Sequence, residues 1–138
     1  MKFPQNSLCP CNSKKKYKKC CKLYHDNITS PQNALELMKS RFSAYCLANV
    51  NYIISTTHEK NPEYTKDILS WSNDIKKFSE NTEFDNLDII DFQDLELESF
   101  VTFKATLFQG NKDISFIEKS RFLKENNKWF YIDGEFIN

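Results

Sequence analysis

Residues 101–133, VTFKATLFQGNKDISFIEKSRFLKENNKWFYID, decide how the rest of the chain must be arranged. Val101, Phe103, Ala105 and Leu107 alternate with polar residues, the two-residue period of a strand with one buried face. Ile114, Phe116, Glu118, Ser120 and Phe122 share one face of the next run, and Trp129, Tyr131 and Asp133 alternate with Phe130 and Ile132 in a third. The runs are separated at Gln109-Gly110-Asn111 and Glu125-Asn126-Asn127, residue types that tolerate the backbone of tight turns. Short turns pair successive strands antiparallel, so residues 83–136 are expected to form a meander of about four strands.

The residues before 83 carry a different period. Ala34, Leu35, Met38, Phe42, Tyr45, Cys46, Ala48, Tyr52 and Ile53 recur at helical spacing. With Ser30 as N-cap and Pro31 in the first position, the pattern predicts one long amphipathic helix over residues 32–57. A shorter helical stretch, TKDILSWSNDIKKF at 65–78, is expected to be anchored by Trp71, and Cys46 reads as a small buried hydrophobe. Helices first and strands afterwards make an α+β domain with the helices on one face of the sheet. At 138 residues, 14% of them aromatic, the chain suits one compact domain with a small appendage.

That appendage is CPCNSKKKYKKCCKLYH, residues 9–25, which holds four of the five cysteines. Adjacent cysteines such as Cys20 and Cys21 close only a strained disulfide ring, whereas a metal ion explains the spacing. Cys9 and Cys11 can grip an ion at about 2.3 Å from each sulfur, and after an eight-residue excursion Cys20 and Cys21 complete a tetrahedron. His25, four residues beyond Cys21, is the alternative fourth ligand, because imidazole binds zinc as well as thiolate does. Zinc is the expected metal, and iron suits four soft thiolates too. Pro10 stiffens the first arm, and Asn12 and Ser13 sit where a tight turn is needed.

Charge is distributed unevenly along a chain whose net charge is zero. Residues 1–25 contain Lys2, Lys14, Lys15, Lys16, Lys18, Lys19, Lys22 and no acidic residue, while the remainder holds twelve basic and nineteen acidic residues. One divalent ion on four thiolates leaves a site of charge minus two, so two lysines offset it and about four of the six between 14 and 22 are surplus. A basic tip on an acidic body points to an anionic partner such as RNA, with Tyr17 available to stack on a base. No run of about 18 apolar residues is present, and the first ten residues contain no apolar block of signal-peptide length, so the expected location is cytoplasmic.

CPCNSKKKYKKCC resembles the SEC-C motif, the zinc-binding knuckle of the SecA translocase motor, in Pro10, Ser13, Lys15, Lys16 and Tyr17 as well as the four cysteines. Two glycines usual in that motif are replaced by Asn12 and Lys14. Together with LMKSRFSAYCLANVNYIISTTH and IEKSRFLKENNKWFYIDG, in that order, the knuckle resembles the YchJ-like family, also called UPF0225, over nearly the whole chain. The resemblance implies a SEC-C motif at residues 1–25 and an NTF2-like domain at 26–138, a cone of curved antiparallel sheet closed by helices. In the translocase setting such knuckles are associated with the SecB chaperone and the ribosome. This implies a small binding module that docks on the ribosome or the export machinery, as a monomer or weak dimer.

Some NTF2-like cones use their pocket for acid and base chemistry, which makes the inward polar residues the alternative functional candidates. Glu118 shares a face with Phe116 and Phe122, and Arg41 on the first helix is its expected ion-pair partner, fixing helix to sheet. His58 follows the long helix and is the residue that would pair with Glu118 or Asp133 in such chemistry. No Ser-His-Asp order, phosphate loop or second metal cluster accompanies them, so no enzymatic activity is assigned and a binding role is expected.

Overall fold

The computed structural model describes residues 3–137, so Lys2 of the basic segment lies outside the described residues. A 3₁₀ turn, Tyr17–Lys19, and the short helix α1, Cys21–His25, belong to the knuckle. Three helices follow, α2 (Ala34–Cys46), α3 (Val50–Ser55) and α4 (Ile68–Glu80). The sheet comprises β1 (Glu83–Gln93), β2 (Glu98–Gln109), the two-residue β3 (Lys112–Asp113), β4 (Phe116–Glu125) and β5 (Lys128–Ile137). The strands pair antiparallel throughout, in the order β1-β2-β4-β5 with β3 alongside β2, and Thr57 adds an isolated parallel bridge to Tyr131. This is the α+β meander read from residues 101–133. Gly110 and both Asn126 and Asn127 adopt positive φ in the turns, and two consecutive left-handed residues match the twist of the strands that they join.

The long helix expected over 32–57 is two helices. Ala48 sits in the left-handed region at φ 55° and breaks the path, and the Asn49 side chain caps the next turn by accepting from the Tyr52 amide at 3.2 Å. Its start differs too. Ser30 and Pro31 lie in the preceding loop, and Asn33 is the N-cap, accepting from the Glu36 amide at 2.9 Å while Glu36 accepts from the Gln32 amide. This reciprocal pairing satisfies two amides that Ser30 would leave unbonded. Asp67 caps α4, whose Trp71 is buried and packs edge-on to Tyr64, as expected of an anchor.

Curvature comes from bulges. In β1 the register slips between Phe84 and Asn86 and again between Ile89 and Asp91, and in β5 opposite Arg121 and Phe122. Each extra residue bends its strand and increases the local twist, wrapping the sheet around a concave side. The last bulge corrects the expected facing of β5. Tyr131 pairs with Phe122 but Asp133 pairs with Arg121, so the two no longer share a face as simple alternation requires. Tyr131, Gly134 and Phe136 line the concave side with Phe116, Glu118, Ser120 and Phe122.

Helix α2 is buried on two sides, which its residues permit because Ala34, Ser40, Ser43 and Ala44 are small and fully covered. Met38, Arg41, Phe42 and Tyr45 face the concave side of the sheet. Ser40 and Ser43 face the knuckle, whose Cys9, Cys11, Tyr17 and Cys21 join the same continuous core.

Candidate metal centre

The knuckle is a miniature hairpin. The Cys9 amide donates to Lys15 O and the Tyr17 amide to Ser7 O, both at 2.8 Å, closing a loop that carries Cys9 and Cys11 past Cys20 and Cys21. Asn12 and Lys14, the two positions where the motif usually has glycine, both take left-handed backbone, at φ 68° and 71°. Asn12 uses its side chain as glycine cannot. Its Nδ2 donates to Leu87 O at 3.2 Å and to Asn86 Oδ1 at 3.3 Å, tying the turn to β1.

Cys9, Cys11, Cys20 and Cys21 converge, with their sulfurs all within 4.8 Å of one another and Cys11 and Cys20 at 3.6 Å. Four sulfurs at about 2.3 Å from one ion in a tetrahedron stand about 3.8 Å apart, so the cluster could hold a metal ion. Protonation points the same way. In this cluster the Cys9 and Cys20 thiols are lowered, each chiefly by its neighbour Cys11. Cys11 is pushed up chiefly by Cys20, and Cys21 chiefly by Cys11. Four thiolates this close need a cation before all can ionise.

His25 faces away from the cluster. Its Nε2 donates to Ser40 O at 2.8 Å and its Nδ1 accepts from the Tyr17 hydroxyl at 2.6 Å, so both ring nitrogens are engaged elsewhere. Burial lowers its pKa and keeps it neutral. The same bond corrects the role expected of Tyr17. Its ring is 8% exposed, edge-on to Phe3, and offers no face to a nucleic-acid base. Lys14, Lys15, Lys16 and Lys19 are exposed, whereas Lys22 is paired with Asp26.

Two hydroxyls reach the sulfurs. Ser13 Oγ lies 3.1 Å from Cys20 Sγ, and Ser43 Oγ lies 3.4 Å from Cys21 Sγ and 3.5 Å from Cys9 Sγ. Such contacts orient metal ligands and moderate their charge. Ser43 escapes a reading of the sequence because it is 34 residues from Cys9. The available signal is the pair Ser40 and Ser43, small polar residues three apart and so on one face of α2. Cys46 stands outside the cluster. It is half-buried rather than fully buried, and desolvation raises its pKa to about 11.

The acid and base candidates do not assemble. Arg41 donates through Nη1 to Ile53 O, Thr56 Oγ1 and Thr57 Oγ1, and Glu118 Oε2 accepts from the Ser120 and Tyr131 hydroxyls, so the expected Arg41–Glu118 pair is absent. Arg41 serves instead to satisfy the buried C-terminal end of α3. His58 is buried beside Phe130, its Nε2 bonded to Glu125 Oε2 at 2.8 Å and its Nδ1 accepting from the Lys60 amide. Asp133 is engaged by Arg121 through two bonds of 2.9 and 2.7 Å. Glu118 lines the concave cavity, and His58 does not.

A four-cysteine knuckle docked on a helix-closed cone of antiparallel strands defines a class, NTF2-like domains carrying a SEC-C motif. Residues 33–134 match the family described as YchJ, middle NTF2-like domain, and residues 6–23 match the SEC-C motif. The chain belongs to the YchJ-like, UPF0225 family. A UPF0225 protein of Vibrio cholerae serotype O1 is 42% identical over 132 residues, covering 93% of this chain and 82% of that protein. The solution structure of a SEC-C motif containing protein from Rhodopseudomonas palustris superposes with a TM-score of 0.79 at 26% identity, covering 96% of this chain and 99% of that one. A SEC-C motif containing protein from Psychrobacter arcticus shares the fold, with a TM-score of 0.77 at 23% identity over 94% of this chain and 82% of that one. Among the described residues no helix is long and apolar enough to cross a membrane.

Proposed function

We propose that Cys9, Cys11, Cys20 and Cys21 bind one zinc ion and that the protein is a cytoplasmic binding module whose lysine loop docks on the ribosome. The convergence of four sulfurs within 4.8 Å carries the metal reading. Metal analysis after metal-replete expression tests it, with about one zinc per chain expected and loss of that metal in a Cys20→Ser, Cys21→Ser double variant. A visible absorption band from a ferric tetrathiolate would assign iron instead.

Docking is supported by Lys14, Lys15, Lys16 and Lys19, which are exposed around the cluster and make no ion pair among the described residues. Lys22 is occupied by Asp26, so the recognition falls to the loop before Cys20 and to Lys18. The ribosome ranks first among anionic partners through the SEC-C motif. If about four phosphates are contacted, affinity falls roughly a thousandfold per tenfold rise in salt. Ribosome co-sedimentation at increasing salt, with wild type and a Lys14, Lys15, Lys16, Lys19 to Glu variant that retains its metal, tests the docking. Equal sedimentation at low salt would refute it, and capture of an export chaperone by the wild type alone would redirect it.

A further inference from the structure

The concave side of the sheet encloses a cavity of about 870 Å³ that opens to solvent and is walled largely by aromatic rings. Arg41 enters it from α2 and is 7% exposed. Its Nη1 carries three bonds, and its guanidinium lies over the Tyr131 ring, 4.7 Å from the centroid. Its Nε and Nη2 have no acceptor, and no carboxylate lies within 4.0 Å, among the described residues. A guanidinium keeps its proton and offers five donors, and because Nε and Nη2 are not among the sealed polar atoms of the described residues, they are presented to whatever anion enters the cavity.

The same cavity holds the complementary group, on the other end of Tyr131 from Arg41. Glu118 Oε2 is held by the Ser120 and Tyr131 hydroxyls, which leaves Oε1 with no donor among the described residues. Gly134 provides the space for this carboxylate, since a Cβ there would meet it at 2.5 Å. Arg41 is the single basic residue among the lining residues, while Glu63, Asp74 and Glu118 supply carboxylates and that of Asp133 is taken by Arg121. Such walls repel a polyanion and accept one carboxylate at Arg41. The volume falls within the range of small-ligand sites, about 300–1,000 Å³.

We propose that this cavity binds a small aromatic monocarboxylate bearing a hydrogen-bond donor. The carboxylate takes the open fork of Arg41, Nε and Nη2, in a bidentate pair. The ring packs against Phe103, Phe116 and Trp71, and a hydroxyl or ammonium of the ligand donates to Glu118 Oε1. The site lies on the opposite side of α2 from the cysteines, so it stands or falls independently of the metal and of ribosome docking.

NMR titration of the metal-loaded wild type with phenylacetate, 4-hydroxyphenylacetate, indole-3-acetate and phenylalanine, each beside its primary amide, tests the proposal. The Arg41 Nε–H resonance is expected to shift with the acids, and the amides to bind at least about tenfold more weakly. Arg41→Lys keeps the charge but loses the fork, and should weaken acid binding by about the same factor. Because that variant also alters the capping of α3, Glu118→Gln supplies a second reading. Within the Glu118→Gln protein the ratio of the phenylacetate to the 4-hydroxyphenylacetate dissociation constant should fall to about one, whatever the change in overall acid affinity. Acids that leave Arg41 Nε–H unmoved, amides that bind equally, or a Glu118→Gln protein that retains the preference would each overturn the assignment.

Discussion

Gly134 on β5 is flanked by a carboxylate that leaves no room for a side chain, which makes Gly134→Ala the most informative single change. A Cβ at this position stands 2.5 Å from Glu118 Oε2, 2.8 Å from Cδ and 3.0 Å from Cγ. Backbone strain is not involved, since Gly134 lies outside the positive-φ region. Glu118 must therefore swing away, losing the bonds from the Ser120 and Tyr131 hydroxyls. A sheltered hydrogen bond to a charged group contributes about 1.5–3 kcal/mol, and half-burial reduces each of these to about 1 kcal/mol. Alanine returns about 0.5 kcal/mol by restricting the unfolded chain. The net destabilisation is about 1.5 kcal/mol, a fall of roughly 3–6 °C in melting temperature for a domain of this size. Urea unfolding of a double-mutant cycle with Glu118→Ala isolates the cause. In the Glu118→Ala background Gly134→Ala should be neutral or stabilising, giving a coupling of about 2 kcal/mol. An equal loss in both backgrounds would show that the glycine answers to something other than Glu118.

Ser43→Ala removes the hydroxyl near Cys9 and Cys21 without adding bulk, and should lower metal affinity by about tenfold or more in a chelator competition, with the fold intact by circular dichroism. Unchanged affinity would leave Ser43 a packing residue alone. The bidentate Arg121 pair holds the Asp133 carboxyl below its ordinary value. A depressed folded pKa contributes stability above the unfolded value of about 3.9 that is lost as pH falls through the folded one, so Asp133→Asn should flatten the stability profile below about pH 4. Both side chains are more than a third exposed, which limits the effect to less than about 1 kcal/mol. An acid limb identical in variant and wild type would count against the pair.

Local patterns carried the architecture. Alternation in β2 and β4 follows from a sheet with one buried face, and each of those positions reads correctly without knowledge of its partner. The turn at Asn126-Asn127 and the left-handed backbone at Asn12 are likewise local demands that residue types answer, whereas Lys14 takes the left-handed region against its type. The four cysteines were legible because metal coordination ties ligand type and short-range spacing together.

What tertiary structure decided are matters of partnership and phase. Helical period continues through Ala48, yet the chain breaks there, because the break depends on Asn49 capping α3 where it packs, not on the period. One extra residue in β5 turned Asp133 toward Arg121 and left Tyr131 facing the cavity, and nothing in a single strand announces a bulge that its neighbour imposes. Arg41 took the end of α3 instead of Glu118, Tyr17 took His25 instead of solvent, and Ser43 met two cysteines far away in the chain. Periodicity records which face of an element is apolar, and that is a property of the element alone. Which polar group meets which across a core depends on how the elements are set against one another, and this chain settles that by burying α2 between knuckle and cone.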